Sequence, residues 1–165
     1  MRLTSFTDYS LRVLIFAAGH PDDRVTVQET ATFFRISPGH AKKVVLTLTH
    51  AGFLNSMKGR KGGFRLALSP EEINLGDVIL ATEPDFGLFE CFLPANTCRI
   101  SRPCGLPNIA NDALAAFLEV FRKYTLADVL ISPQYFALAP VSATQPSRGP
   151  VLPRPTTAAR VRRGR

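Results

Sequence analysis

The amino-acid sequence predicts a mainly α-helical chain with one small β-hairpin wing: a winged helix-turn-helix followed by a long dimerisation helix. Three observations predict it. The first fifty residues hold three stretches with helical hydrophobic spacing, each opened by a capping residue. After Gly52 the pattern changes to two short strand-like runs around a glycine-rich turn. From residue 108 to residue 124 runs a single long helix with two apolar stripes.

Residues 7–20 form the first helix: Thr7 can cap it, Asp8 favours the first turn, and Leu11, Leu14, Ile15 and Ala18 recur on one face. His20-Pro21-Asp22-Asp23 ends it. Thr26 followed by Glu29 has the spacing of a capping box and opens a second helix reaching about Phe34. Ser37-Pro38 supplies a cap and a first-turn proline for a third helix over 38–51. Ala41, Val44, Val45, Leu48 and Ala51 make its inner face, Lys42 and Lys43 point outward, and Gly52 permits the left-handed stop.

Residues 53–58 and 64–68 read as the strands of the wing, joined by Gly59-Arg60-Lys61-Gly62-Gly63. Asn74 caps a fourth helix reaching Glu83, where Pro84 follows. Residues 84–107 contain four prolines and every cysteine of the chain, the pattern of a loop built around a ligand. In the long helix Ile109, Ala113, Phe117, Val120 and Tyr124 lie on one stripe and Leu114, Leu118 and Phe121 on another. Two apolar faces exceed what one small core needs, so one face is expected to pack on a second subunit. A short helix over 125–131 follows, and the Pro-, Ser-, Thr-, Ala- and Arg-rich end reads as a basic disordered tail. The domain organisation is therefore a DNA-binding domain over 1–83, a ligand loop over 84–107, the dimerisation segment over 108–138 and the tail over 139–165.

The net charge of +7 is unevenly placed. The tail holds six arginines and no acid, which leaves 14 basic against 13 acidic residues in the body. Within that body, residues 35–65 carry Arg35, Lys42, Lys43, Lys58, Arg60, Lys61 and Arg65 without one acid, a footprint for a polyanion. A recognition helix presents its N-terminal residues to base edges, here Ser37, Gly39, His40, Lys42 and Lys43. The small residues allow close approach, His40 can meet a base edge, and the lysines suit phosphates. Arg60 and Lys61 ride on the wing tip, where a narrow minor groove attracts cations, with Lys58 and Arg65 on its strands. Double-stranded DNA is the expected partner.

Cys91, Cys98 and Cys104 are spaced Cys-x6-Cys-x5-Cys. The tight Cys-x2-Cys knuckle common in zinc sites is absent. Wide gaps with prolines suit a larger object held by soft ligands, for which an iron–sulfur cluster is the leading candidate; zinc and unliganded redox-active thiols stay open. An odd cysteine count argues for a reducing cytoplasm rather than a disulfide scaffold. No secretion signal or stretch long enough to span a membrane is visible. The three histidines and scattered serines form no nucleophile–base pattern, so an enzyme is not expected.

Four motifs in order around this loop, MRLTSFTDYSLRVL, SPGHAKKVVLTLTHAGFL, KGRKGGFRLAL and KYTLADVL, resemble the NsrR family of nitric-oxide-sensing iron–sulfur repressors, relatives of IscR. The resemblance covers about residues 1–131. It implies a cytoplasmic homodimer in which each cluster, 4Fe-4S with 2Fe-2S as the alternative, is bound by Cys91, Cys98 and Cys104. The fourth ligand it implies is Asp8 from the other subunit; read alone, Asp8 is an ordinary helix-start carboxylate complementing the dipole. IscR-like chains use a histidine three residues after the third cysteine, where this chain has Pro107. The implied function is a repressor on a palindromic operator, released when nitric oxide nitrosylates the cluster. An IscR-like regulator of cluster assembly and a thiol or zinc sensor are the rival readings.

Overall fold

The computed structural model of the protein describes residues 2–57, 59 and 62–136. Helix α1 spans Ser5–Ala18, α2 Val27–Phe34 and α3 Pro38–His50; strands β1 Leu54–Met57 and β2 Gly63–Leu66 follow, then α4 Leu75–Thr82 and α5 Leu106–Arg122. This is the predicted mainly α architecture with a two-stranded antiparallel wing. Lys58, Arg60 and Lys61, together with the tail, lie outside the described residues.

Helix α1 begins earlier than its sequence suggests. Thr4, not Thr7, is the N-cap, its hydroxyl accepting the Thr7 N–H at 3.3 Å. Thr7 is fully buried instead. The buried face comprises Val13, Leu14, Phe16 and Ala17, whereas Leu11, Ile15 and Ala18 are only half-buried. The difference arises because α1 is packed on several sides, touching α2, α3, α4 and β2, so a single stripe does not describe it.

The capping box of α2 forms as predicted: the Thr26 hydroxyl accepts from the Glu29 N–H at 3.1 Å, and the Glu29 carboxylate accepts the Thr26 N–H at 2.7 Å. Those bonds to the ionised form hold the Glu29 carboxyl below its ordinary range. Arg35 then takes the left-handed conformation (φ 53°), ending α2 and turning the chain into α3. In α3 the Ser37 hydroxyl accepts the His40 N–H at 3.2 Å, and Ala41, Val44, Val45 and Leu48 are buried. Ala51 is exposed, because the helix stops at His50 and Gly52 (φ 84°) redirects the chain before another turn can face inward.

The wing is shorter than expected, with Leu54 opposite Leu66 and Met57 opposite Gly63. Its root is fastened to the helical domain by a bridge between Val25 and Phe64, each N–H donating to the other's carbonyl at 3.1 and 2.8 Å. Gly63 is required there, since a Cβ would come within 2.9 Å of the Val25 carbonyl oxygen. Phe64 is 1% exposed and shares one core with Val13, Leu14, Val44, Leu48, Leu54, Ile73, Val78 and Leu126.

Asn74 joins the two halves of the chain. Its side-chain oxygen accepts the Gly76 N–H at 2.9 Å to cap α4, and its amide donates to the Arg122 carbonyl at 2.8 Å at the end of α5. Helix α5 starts two residues before the expected position because Pro107 occupies its first turn. The expected helix over 125–131 reduces to a 3-10 turn, Leu126–Val129, pinned by a Thr125/Asp128 capping box and the fully buried Leu126. Of the two apolar stripes on α5, Leu118 is buried and Leu114 and Phe121 are half-buried. On the other stripe Ile109, Val120 and Tyr124 stay 65%, 52% and 48% exposed.

Candidate iron site and DNA-binding face

Helix α3 presents a continuous outer face. Ser37, Gly39, His40, Lys42 and Lys43 are all exposed, and nothing lies within 4 Å of the position a Cβ on Gly39 would take. Leu46, 55% exposed, continues this face one turn beyond the lysines. Its i+4 spacing from Lys42 makes it visible in the sequence as an apolar residue on the cationic side, outside the inner face of Ala41, Val44, Val45 and Leu48. His40 lies against Tyr9 of α1, with ring centroids 6.3 Å apart. Arg65 is exposed on β2 and lines a cleft with Pro21, Asp22 and Asp23. Of the wing residues expected at DNA, Arg65 is therefore the one whose position is described.

The cysteine loop follows α4 and includes a 3-10 turn, Glu90–Phe92. Two hydrogen-bonded ties fold it. The Glu90 carboxylate accepts from the Thr97 N–H at 3.0 Å and the Thr97 hydroxyl at 2.6 Å, so residues adjacent to Cys91 and Cys98 are drawn together. These bonds keep the Glu90 carboxyl below its ordinary range. Around the second and third cysteines, the Ser101 hydroxyl donates to the Cys98 carbonyl at 2.7 Å, and the Cys104 N–H donates to the Ile100 carbonyl at 3.0 Å.

All three thiols are free; Cys91 and Cys104 are half-buried and Cys98 is exposed. Within one chain, no cluster of three or more His, Cys, Asp or Glu side chains converges as a metal site among the described residues. The donor chemistry nevertheless fits an iron–sulfur group: three soft sulfurs on one short loop, none committed to a disulfide. Arg99 and Arg102, both exposed beside Cys98 and Cys104, can offset part of the charge of a thiolate-bound cluster. The loop also has little core of its own, since Phe89, Leu93 and Ile100 are 42%, 46% and 62% exposed.

Asp8 sits in the first turn of α1, and among the described residues no hydrogen bond or ion pair joins it to its own cysteine loop. Its carboxylate is held by Arg12 one turn on, at 2.7 and 3.0 Å. Both side chains are close to half exposed, and such i,i+4 pairs contribute only about 0.3–0.5 kcal/mol, so the pair constrains Asp8 weakly. The Asp8/Arg12 spacing is readable in the sequence. Glu83, by contrast, carries no local signal for its position: it lies at the end of α4 with its carboxylate turned to the start of α1.

The Rrf2 family model, described as an iron-dependent transcriptional regulator, matches residues 3–131. The chain belongs to the Rrf2 family. It is 46% identical over 132 residues to the HTH-type transcriptional regulator NsrR of Bacillus subtilis (strain 168), covering 79% of this chain and 90% of that one. With the NsrR of Bacillus licheniformis it shares 45% identity over 134 residues, 80% of this chain and 94% of the relative. Among solved structures, T. potens IscR shares the Rrf2 fold at a TM-score of 0.61 and 22% identity, covering 78% of this chain and 85% of that one. CymR, the global cysteine regulator of B. subtilis, does so at a TM-score of 0.58 and 22% identity, over 82% of this chain and 98% of the other. The chain is thus a DNA-binding transcriptional regulator of the Rrf2/NsrR type, and its named relatives are regulators rather than enzymes. Among the described residues, no helix is long and apolar enough to cross a membrane.

Proposed function

We propose that the chain acts as a cytoplasmic homodimeric repressor that binds a palindromic operator and senses nitric oxide through an iron–sulfur cluster of the 4Fe-4S type. The observation that carries this reading is the coexistence of three free thiols in one loop with an exposed carboxylate, Asp8, in a chain 46% identical to NsrR. Cys91, Cys98 and Cys104 would hold the cluster, with Asp8 of the partner subunit as the remaining ligand. The exposed stripe of Ile109, Val120 and Tyr124, with Phe89, Leu93 and Ile100 of the loop, supplies apolar surface for the second copy to cover.

When bound, the cluster supplies iron with which nitric oxide reacts. Asp8 would be the hard oxygen among soft sulfurs and therefore the ligand most readily given up. Arg12 is positioned to receive the freed carboxylate, since the two side chains already pair within one chain. Because Asp8 lies in the first turn of α1 and α1 packs on α3, its gain or loss as a cross-subunit ligand would favour one placement of the recognition helices over another.

Asp8→Ala is the direct test. With three thiolates left, the cluster should be lost to an iron chelator about 10–100 times faster under anaerobic conditions, followed by the decay of visible absorbance. An unchanged decay rate would remove Asp8 from the ligand set. For the DNA face, replacing both Lys42 and Lys43 by alanine should weaken operator binding and reduce the slope of log affinity against log salt by roughly 2, about 0.9 for each phosphate no longer neutralised. A slope equal to that of the parent chain would show that these lysines do not meet phosphates.

A further inference from the structure

We propose that Glu83 is a positioning residue that fixes Asp8 relative to the cysteine loop, so that a change at the loop is transmitted to α1. The inference rests on the proposed function above, because it assigns Asp8 a role beyond its own chain.

A single carboxylate gathers the start of α1. Glu83 accepts from the Thr4 N–H at 3.1 Å, from the Thr4 hydroxyl at 3.1 Å and from the Thr7 hydroxyl. The Thr82 hydroxyl lies 3.2 Å from that of Thr7, and both threonines are buried. A carboxylate at the N-terminal end of a 14-residue helix is also favoured by the helix dipole. Several charge-assisted bonds at one partly buried point make a joint stiffer than a simple hydroxyl cap.

The joint lies between the two parts that the proposed function couples. On one side, the Asp8 N–H donates to the carbonyl of Thr4, the residue Glu83 holds, at 3.1 Å. On the other, Glu83 is followed at once by Pro84 and the segment leading to Cys91, and Pro84–Phe89 face Arg2, Leu3 and Thr4 across a cleft. Each Glu83 thus sets the relation between the thiols a subunit keeps and the carboxylate it lends. Helix α1 in turn packs on α3, so a shift at this joint reaches the outer face of the recognition helix.

The test compares the full chain with Glu83→Gln, which keeps the shape but replaces an acceptor-only oxygen with a donor, and with Thr7→Val. If the glutamine variant fails to fold, as judged by far-ultraviolet circular dichroism, the valine variant carries the same measurements. The first measurement is hydrogen exchange at the Thr7 and Asp8 amides in the unloaded protein, expected to quicken about tenfold or more. The second is the ratio of operator affinity with and without anaerobically reconstituted iron and sulfide, expected to shrink by at least about fivefold. Unchanged exchange would overturn the proposal. Faster exchange with an unchanged affinity ratio would also overturn it, by reducing Glu83 to a helix cap. A parent chain that never acquires iron and sulfide would defeat the underlying reading, a result told apart because it appears without any substitution.

Discussion

Serine in place of Cys91, Cys98 or Cys104 is expected to leave a folded protein that no longer holds iron and sulfide and no longer selects its operator. Serine keeps the size of cysteine but presents a hydroxyl that stays protonated at neutral pH and is a hard, poor donor to iron. The positions tolerate the change: Cys98 is exposed, Cys91 and Cys104 are half-buried, and none is in a disulfide. Stability of the unloaded chain should therefore move by no more than about 0.5 kcal/mol. Binding to operator DNA should fall to the level shown for unrelated DNA, roughly a thousandfold or more. Iron and sulfide content, the thermal midpoint of unloaded protein and titration of operator against a scrambled duplex give the three readings. A serine variant that retains parental iron content and operator affinity would exclude that cysteine as a ligand.

The cysteines illustrate what sequence spacing can and cannot supply. It marks Cys91, Cys98 and Cys104 as candidate donors, three soft ligands in one proline-rich stretch, without choosing between a cluster, zinc and free thiols. It does not give the path of the loop, which depends on the Glu90–Thr97 and Ser101–Cys98 ties, and the proposed fourth donor belongs to another chain. Local signals are decisive where the interaction is local: Thr26 with Glu29, Ser37 with Pro38, and Asn74 all cap the helices assigned to them. The start of α1 is not legible in that way. Thr4 and Thr7 are equally good caps by residue type, and the choice between them is made by Glu83, 79 residues from Thr4. Likewise the two stripes of α5 are visible, but which one faces inward depends on the packing of α5 on α4, where Leu118 is buried and Ile109 is not.

Phe64→Ala is expected to be the most damaging single change to the fold, because Phe64 joins the wing to the helices. Its ring is 1% exposed within the core formed by Leu14, Val44, Leu48, Leu54 and Leu126. Truncation of a buried phenylalanine costs about 3–5 kcal/mol through lost transfer energy and the cavity left behind. A domain of this kind has about 5–15 kcal/mol in all, so much of its stability would go. The backbone bridge from Phe64 to Val25 would lose the side chain that anchors it, and the wing root would separate from α2. Denaturant titration should show a lower midpoint with parental slope, and operator binding measured where the variant is still folded should weaken further through the displaced wing. A loss below about 1 kcal/mol would mean that the hairpin is held by its strand pairing alone. The helix-turn-helix would then be stable without its wing, and the two strands would be an appendage rather than part of one packed unit.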